Sequence, residues 1–229
     1  HAGAHGSPFK SSEQVFTQFS IQLFTMSTTA TSAPTPAPGS GVRREGKLKQ
    51  QLVEVTIELL LEPREIRFPT MREIAQSAGV APGAAYRHFD SQLELLIAVV
   101  AELFARLEQA LLSAAEERND ADGKIRAISL AYVQWGIANP GCYQLLFETT
   151  DDPVSYQEAN RPGLDLIQQL AMLVAEHFDS EEPHVEQATQ LWVYMHGVVT
   201  LRTHKTGMPW QVTPEDDVNR FVDLILKTA

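Results

Sequence analysis

One cysteine in 229 residues, Cys142, is too few for several whole architectures. A single thiol builds neither a disulfide framework nor a four-cysteine metal site, and it fits a reducing compartment such as the cytoplasm. Long apolar runs are missing as well. No stretch reaches the roughly eighteen residues of a membrane-crossing helix, so no membrane partner is expected. Basic residues are scarce: 18 Lys and Arg against 29 Asp and Glu give a formal net charge of -11. That balance argues against a chain wrapped in nucleic acid, but the charge is unevenly spread. From 43 to 92 eight basic residues meet seven acidic ones, whereas from 93 onward nine meet twenty-one. Only the first segment can approach phosphate without strong repulsion. Also absent are a glycine-rich phosphate loop, a Gly-x-Ser-x-Gly elbow and a Cys-His pair with helical support. An enzyme is therefore not expected, and neither is a cofactor.

What is present is helical periodicity. Leu48, Leu52, Val55 and Leu59 recur at 4-3-4 spacing and predict an amphipathic helix that Pro63 ends. Thr70 followed by Glu73 is a capping-box pattern, so a short helix is expected over about 70–77. After Gly79 a third runs roughly 82–88. Ser91 with Glu94 starts a long fourth, whose inner face reads as Leu96, Val100, Leu103, Leu107 and Leu111. The same period continues through Ile125–Trp135, a short segment near 141–148, Ile167–Phe178, Ala188–Val199 and Val218–Ile225. No period-2 run follows Arg43. The fold class is all-α, with eight to ten helices. Residues 1–25 read as an expression-vector remnant with Met26 as the native start, and the uncharged Ser/Thr/Ala/Pro stretch 27–41 as a flexible lead-in. The expected organisation is a lead-in over 1–42, a DNA-binding domain over 43–92 and a second helical domain over 93–229.

The stretch "REIAQSAGVAPGAAYRHFDS", 72–91, carries the functional argument. Two short helices meet at a steep angle only if their backbones approach closely. That requires a small residue on the first helix and a left-handed backbone in the turn. Ala75 and Gly79 fill those roles, with Ile74, Ala78, Val80 and Ala85 as apolar contacts. This is a helix-turn-helix, whose second helix enters the DNA major groove. Ala81, Pro82, Gly83 and Ala84 keep the leading face thin, and Phe89 turns back into the core. Tyr86, Arg87 and His88 are then the first side chains long enough to reach DNA. Arg87 suits a guanine edge; Tyr86 suits a thymine methyl or phosphate, and His88 a phosphate.

"TMREIAQSAGVAPGAAYRHFDSQLELL" resembles the N-terminal signature of the TetR family of bacterial transcriptional repressors, over residues 43–89. "LWVYMHGVV" at 191–199, with Trp192, His196 and Gly197, resembles the Trp…His-Gly signature of one TetR subfamily. "NPGCYQLLFE" at 139–148 resembles its Pro-x-x-Tyr-x-Leu-x-Phe stretch. Three positions depart from the pattern: Ala81 stands where relatives carry Ser or Thr, Gln92 where many carry Lys, and Ala85 where a bulky residue is common. The first two weaken the expected DNA affinity or shift it onto the basic arm Arg43–Lys49.

The resemblance implies a homodimer on a palindromic operator, with helices near 163–178 and 185–204 at the dimer interface. It implies a small-molecule effector in the second domain whose binding releases DNA. Arg43, Arg44, Lys47, Thr70 and Gln92 join the reading helix as candidate DNA contacts. Trp135, Tyr143, Phe147, Trp192 and His196 are the candidate effector contacts, although aromatics at helical spacing also serve as core. Two other readings are a regulator that answers to no small molecule and a helical di-iron enzyme. The last rests on Glu181-x-x-His184 with His177, His196 and His204 in the same half. A di-iron bundle needs two such motifs, and here there is one.

Overall fold

The computed structural model describes residues 40–61, 68–148 and 162–227, without the side chains of 40–45 and 162. The side chains of Arg43 and Arg44, the end expected at Pro63 and the segments 1–25 and 27–39 therefore lie outside the described residues. Every regular element among those described is a helix: α1 (Ser40–Leu60), α2 (Met71–Ser77), α3 (Pro82–Ala85), α4 (Gln92–Glu116), α5 (Ala121–Ala138), α6 (Pro140–Phe147), α7 (Pro162–His177), α8 (Val185–His204) and α9 (Pro214–Ile225). All belong to one compact unit, Pro38–Ala229.

The helix starts follow local chemistry. Thr70 caps α2: its hydroxyl accepts from the Glu73 N–H, while the Glu73 carboxylate accepts from the Thr70 N–H at 2.7 Å. Ser91, Asp120 and Thr213 cap α4, α5 and α9 in the same way, each accepting from the N–H three residues on. Such a cap contributes about 1 kcal/mol. Ala81 offers α3 no side-chain cap, and Pro82 occupies the first helical position, where a missing N–H is harmless.

Two hydrophobic cores share one long helix. The first gathers Leu52, Val53 and Ile57 from α1, Ile74 and Ala75 from α2, then Ala85 and Phe89; Leu95, Val99 and Leu103 of α4 complete it. The second gathers Leu107 and Leu111 of α4 with Ile125 and Val133 of α5, Val174 of α7, Leu191 and Val199 of α8, and Val218 and Val222 of α9. Each large side chain buried this way is worth about 1.5–3 kcal/mol. The buried row of α4 thus runs in steps of four: Leu95, Val99, Leu103, Leu107, Leu111. Leu96 and Val100, expected on that row, are only partly buried. The α1 face is similarly rotated, with Val53, Thr56 and Ile57 buried where Val55 and Leu59 were expected to lead.

The crossing of α2 and α3 is built as the sequence requires. Ala75 is fully buried, and Gly79 holds φ +69°, where a side chain is strained. The expected third helix, 82–88, is shorter: regular helix ends at Ala85. Arg87 and His88 N–H groups then bond three residues back, to Ala84 and Ala85. That tighter winding swings Phe89 inward to full burial.

Candidate functional site

The α2–turn–α3 unit presents one face to solvent. Ala81, Pro82, Gly83, Tyr86 and Arg87 are exposed, Ala84 and His88 partly so, with Tyr86 at 52%. Beneath them Ala85 and Phe89 are fully buried, so the exposed side chains stand on a packed floor. Gly83 has open space around it, and its lack of a side chain keeps the surface low. No carboxylate lies between Glu73 and Asp90 in the sequence, and Arg87 brings a full positive charge to this face. A low, carboxylate-free ridge bearing an aromatic and a guanidinium suits a negatively charged groove.

The flanking candidates divide. Thr70 is exposed, but its hydroxyl is engaged in the α2 cap. Gln92 is exposed, and its side-chain amide donates to the Pro69 carbonyl at 2.9 Å, tying the start of α4 to the lead-in of α2. Lys47 is exposed on α1. Lys49, part of the same basic arm, sits 4.9 Å above the Phe89 ring and 3.9 Å from the Glu94 carboxylate. Its charge braces α1 against the reading unit.

The second site lies between α5, α6 and α8. Trp192 Nε1 donates to Tyr132 Oη at 3.1 Å, Tyr132 and Tyr143 hydroxyls lie 3.0 Å apart, and Tyr143 Oη meets His196 Nδ1 at 2.6 Å. An indole N–H only donates, so Tyr132 accepts from Trp192. Each phenol can both donate and accept, so the hydrogen bonds from Tyr132 through Tyr143 to His196 form one continuous relay whose last member is a titratable imidazole. Phe147 closes against Tyr143 at 4.9 Å and against Tyr132 at 5.8 Å, between ring centroids. Of the five candidate effector contacts, Tyr143, Phe147, Trp192 and His196 are thus brought together. Trp135 stands apart from this relay, packed where the two cores meet.

Three participants were missed from the sequence. Tyr132 was read only as a core position; Phe104 stacks edge-on to Phe147; and Glu148, 13% exposed, accepts from Thr200 Oγ1 at 2.9 Å. The polar tip of Tyr132 one helical turn before Gly136 was the available signal. Burial pushes the Tyr132 phenol up to about 12 and the Tyr143 phenol higher still. Burial also lowers the His196 pKa, against the pull of the Glu148 charge.

The sign of the resulting pH dependence follows. Unfolded His196 takes up a proton below its ordinary 6.5, whereas the folded form resists it, so stability falls as pH drops through that value. We predict a urea midpoint that declines between about pH 7 and about pH 5.5, with a smaller decline in His196→Asn, whose amide can still hydrogen-bond Tyr143 but does not titrate. Equal declines in both proteins would remove His196 from the account.

The two sites are joined through α6. Its neighbouring residues face different cores: Cys142 lies in the first, with its thiol 4.0 Å from the Ile57 carbonyl of α1, and Tyr143 in the second. Burial lifts the Cys142 thiol to about 11, so it is an inert packing group. On α4, Arg106 pairs with Glu54 of α1 at 2.5 Å and with Glu102 at 2.9 Å. The Glu181-x-x-His184 pattern is not a helical ligand pair. Glu181 is exposed between α7 and α8, and His184 stacks on Phe178 with ring centroids 5.1 Å apart. Among the described residues no three His, Cys, Asp or Glu side chains converge as metal ligands, and no described helix is long and apolar enough to cross a membrane.

Residues 69–99 match the family model for bacterial regulatory proteins of the tetR family, and 125–228 match the tetracyclin repressor-like C-terminal domain. Together these take in more than half of the chain. Among solved structures, a Rhodococcus sp. RHA1 protein of unknown function is similar at 22% identity, with 86% of this chain and 98% of that one covered and a TM-score of 0.67. A TetR family transcription regulator from Marinobacter aquaeolei VT8 is similar at 14% identity, covering 81% and 96%, with a TM-score of 0.59. A bacterial regulatory protein in the tetR family from Rhodococcus RHA1 shares 17% identity over 79% and 96%, with a TM-score of 0.58. These likenesses carry the fold; the two family models, covering the reading unit and the helical body in turn, carry the identity. The chain belongs to the TetR family of bacterial transcriptional regulators.

Proposed function

We propose that this regulator is a cytoplasmic homodimeric repressor that binds a palindromic operator through residues 43–92 and is released by a small apolar effector bound in 93–229. The observation that carries the DNA reading is the exposed Tyr86–Arg87 ridge standing on buried Ala85 and Phe89. One short reading helix contributes too little specific energy alone, so two copies reading half-sites about 34 Å apart supply it together. Arg87 reads a base edge, Tyr86 and His88 meet backbone or a thymine methyl, and Lys47 meets phosphate with Arg43 and Arg44. Thr70, Ala81, Pro82, Gly83, Ala84 and Gln92 shape the approach.

Release is proposed to act at the aromatic relay. Tyr143 belongs to the relay and its neighbour Cys142 packs on α1, so a ligand that displaces Tyr143 also shifts a contact of the DNA-binding core. Such a ligand must bind the displaced state better than the DNA-ready one. The ring contacts of 4.9 to 5.9 Å among Tyr132, Tyr143, Phe147 and Phe104 are direct, and they favour a second reading in which no small molecule is needed. Soaking crystals with a small-molecule library separates the two: ligand density beside Tyr143 with the relay broken supports the first.

The DNA reading has a mutational test. Arg87→Ala is expected to relax sequence preference at one base pair by about 1–3 kcal/mol, whereas Lys47→Ala weakens all duplexes alike and lowers the salt dependence. Anisotropy titrations against single-base operator variants measure both. An unchanged preference in Arg87→Ala would move the reading face elsewhere.

A further inference from the structure

The reading helix α3 is four residues long and has no side-chain cap at its start. A single helical turn does not hold its own direction, so its neighbours must set it. The neighbour α2 is also short, seven residues, and each of its ends is held from outside. At its start the carbonyl of buried Pro69 accepts from Gln92 Nε2 of α4 at 2.9 Å. At its end the carbonyl of buried Ala78 accepts from Gln51 Nε2 of α1 at 3.1 Å. Buried carbonyls need such partners.

Both ties sit where they control direction. Pro69 precedes the Thr70 cap, and Ala78 precedes Gly79, whose left-handed backbone turns the chain toward α3. The turn closes itself with other groups: the N–H groups of Ala78, Gly79 and Val80 donate to the carbonyls of Ile74, Gln76 and Ala75. Those bonds shape the turn from within, whereas the Gln51 bond fixes it to α1. Both donors are uncharged amides. A lysine at 92 would bring charge toward phosphate and strengthen binding to every duplex alike, and a glutamine adds no such attraction.

We propose that Gln51 and Gln92 are positioning residues for operator discrimination. One from each supporting helix, they clamp the two ends of α2 and so aim the ridge of Tyr86 and Arg87. The inference rests on the DNA reading above and adds what orients it: both amides act through α2 rather than on DNA.

Gln51→Met, Gln92→Met and the double variant, each in the full chain, test it. Methionine resembles glutamine in length, charge and helix propensity but donates no hydrogen bond. Wild type first selects an operator from randomised duplexes. Anisotropy then gives Kd for that operator and for a scrambled duplex over a range of salt, with urea midpoints measured alongside. Each single variant is expected to bind the operator about three- to tenfold more weakly, and the double variant more weakly still. The scrambled duplex and the salt slope should stay at their wild-type values, because no phosphate contact is lost. Equal weakening on both duplexes would make the glutamines DNA contacts and overturn the clamp. Lower urea midpoints with unchanged discrimination would make them stabilising groups only, and would overturn it while leaving the DNA reading standing. A wild type that selects no operator overturns both.

Discussion

Tyr143→Ala is expected to lower the folding free energy by about 3–5 kcal/mol, the range for emptying a large buried aromatic site. Among the described residues Tyr143 is the largest of the fully buried side chains, and it packs against Tyr132, Phe147 and His196 at once. Tyr143→Phe separates the packing from the polar part. It keeps the ring but removes the hydroxyl that bonds to both Tyr132 and His196, leaving buried polar atoms unmatched at a cost of about 1–3 kcal/mol. Urea denaturation of the three proteins gives both numbers. If the phenylalanine variant matched wild type, the relay would contribute nothing to the fold, and its hydrogen bonds would be incidental to close packing.

Gly136→Val is the second large effect. A side chain at Gly136 would lie 2.7 Å from Val199 Cγ1 and 2.8 Å from Tyr143 Cδ2, closer than carbon atoms approach. Something on α6 or α8 must move, and overpacking of this kind costs about 1–3 kcal/mol. The direction of the relief is also predicted. Val199→Ala, destabilising by itself, should recover part of the loss in the Gly136→Val background, because it removes the atoms in collision. A double-mutant cycle measures that coupling. Additive losses would mean that the α5–α8 contact yields elsewhere and that glycine is not required for close approach.

Much of this architecture was legible in the residues because it is local. Thr70 with Glu73, and Ser91 with Glu94, specify helix starts by reaching three residues along the chain, and both caps form. Ala75 and Gly79 specify the close crossing for a steric reason visible in their size alone. Less legible was the register of α4. Residues 95–100 are apolar without interruption, so rows starting at Leu95 and Leu96 fit the period equally until partners choose between them. The first core chose Leu95 and Val99. The end of α3 was missed for a similar reason: Phe89 is drawn inward by tertiary packing, and the backbone tightens after Ala85 to deliver it.

The aromatic site shows where pattern reading stops. Sequence singled out Tyr143, Phe147, Trp192 and His196 by size and spacing, but nothing in it says that Tyr132 links Trp192 to Tyr143. That link spans α5, α6 and α8, with partners up to 60 residues apart. The intrahelical glycines were visible as anomalies without their causes. Gly136 has two side chains pressed against it, whereas Gly197 has none, and only coordinates distinguish a filled neighbourhood from an empty one.

The most direct test of the central claim is selection of bound duplexes from a randomised DNA library by the full chain at near-physiological salt. A ridge of Tyr86, Arg87 and His88 presented once by each of two symmetric copies predicts enrichment of an inverted repeat, its half-sites about one helical turn apart or a multiple of it. Enrichment of nothing, or of a single asymmetric element, would contradict it.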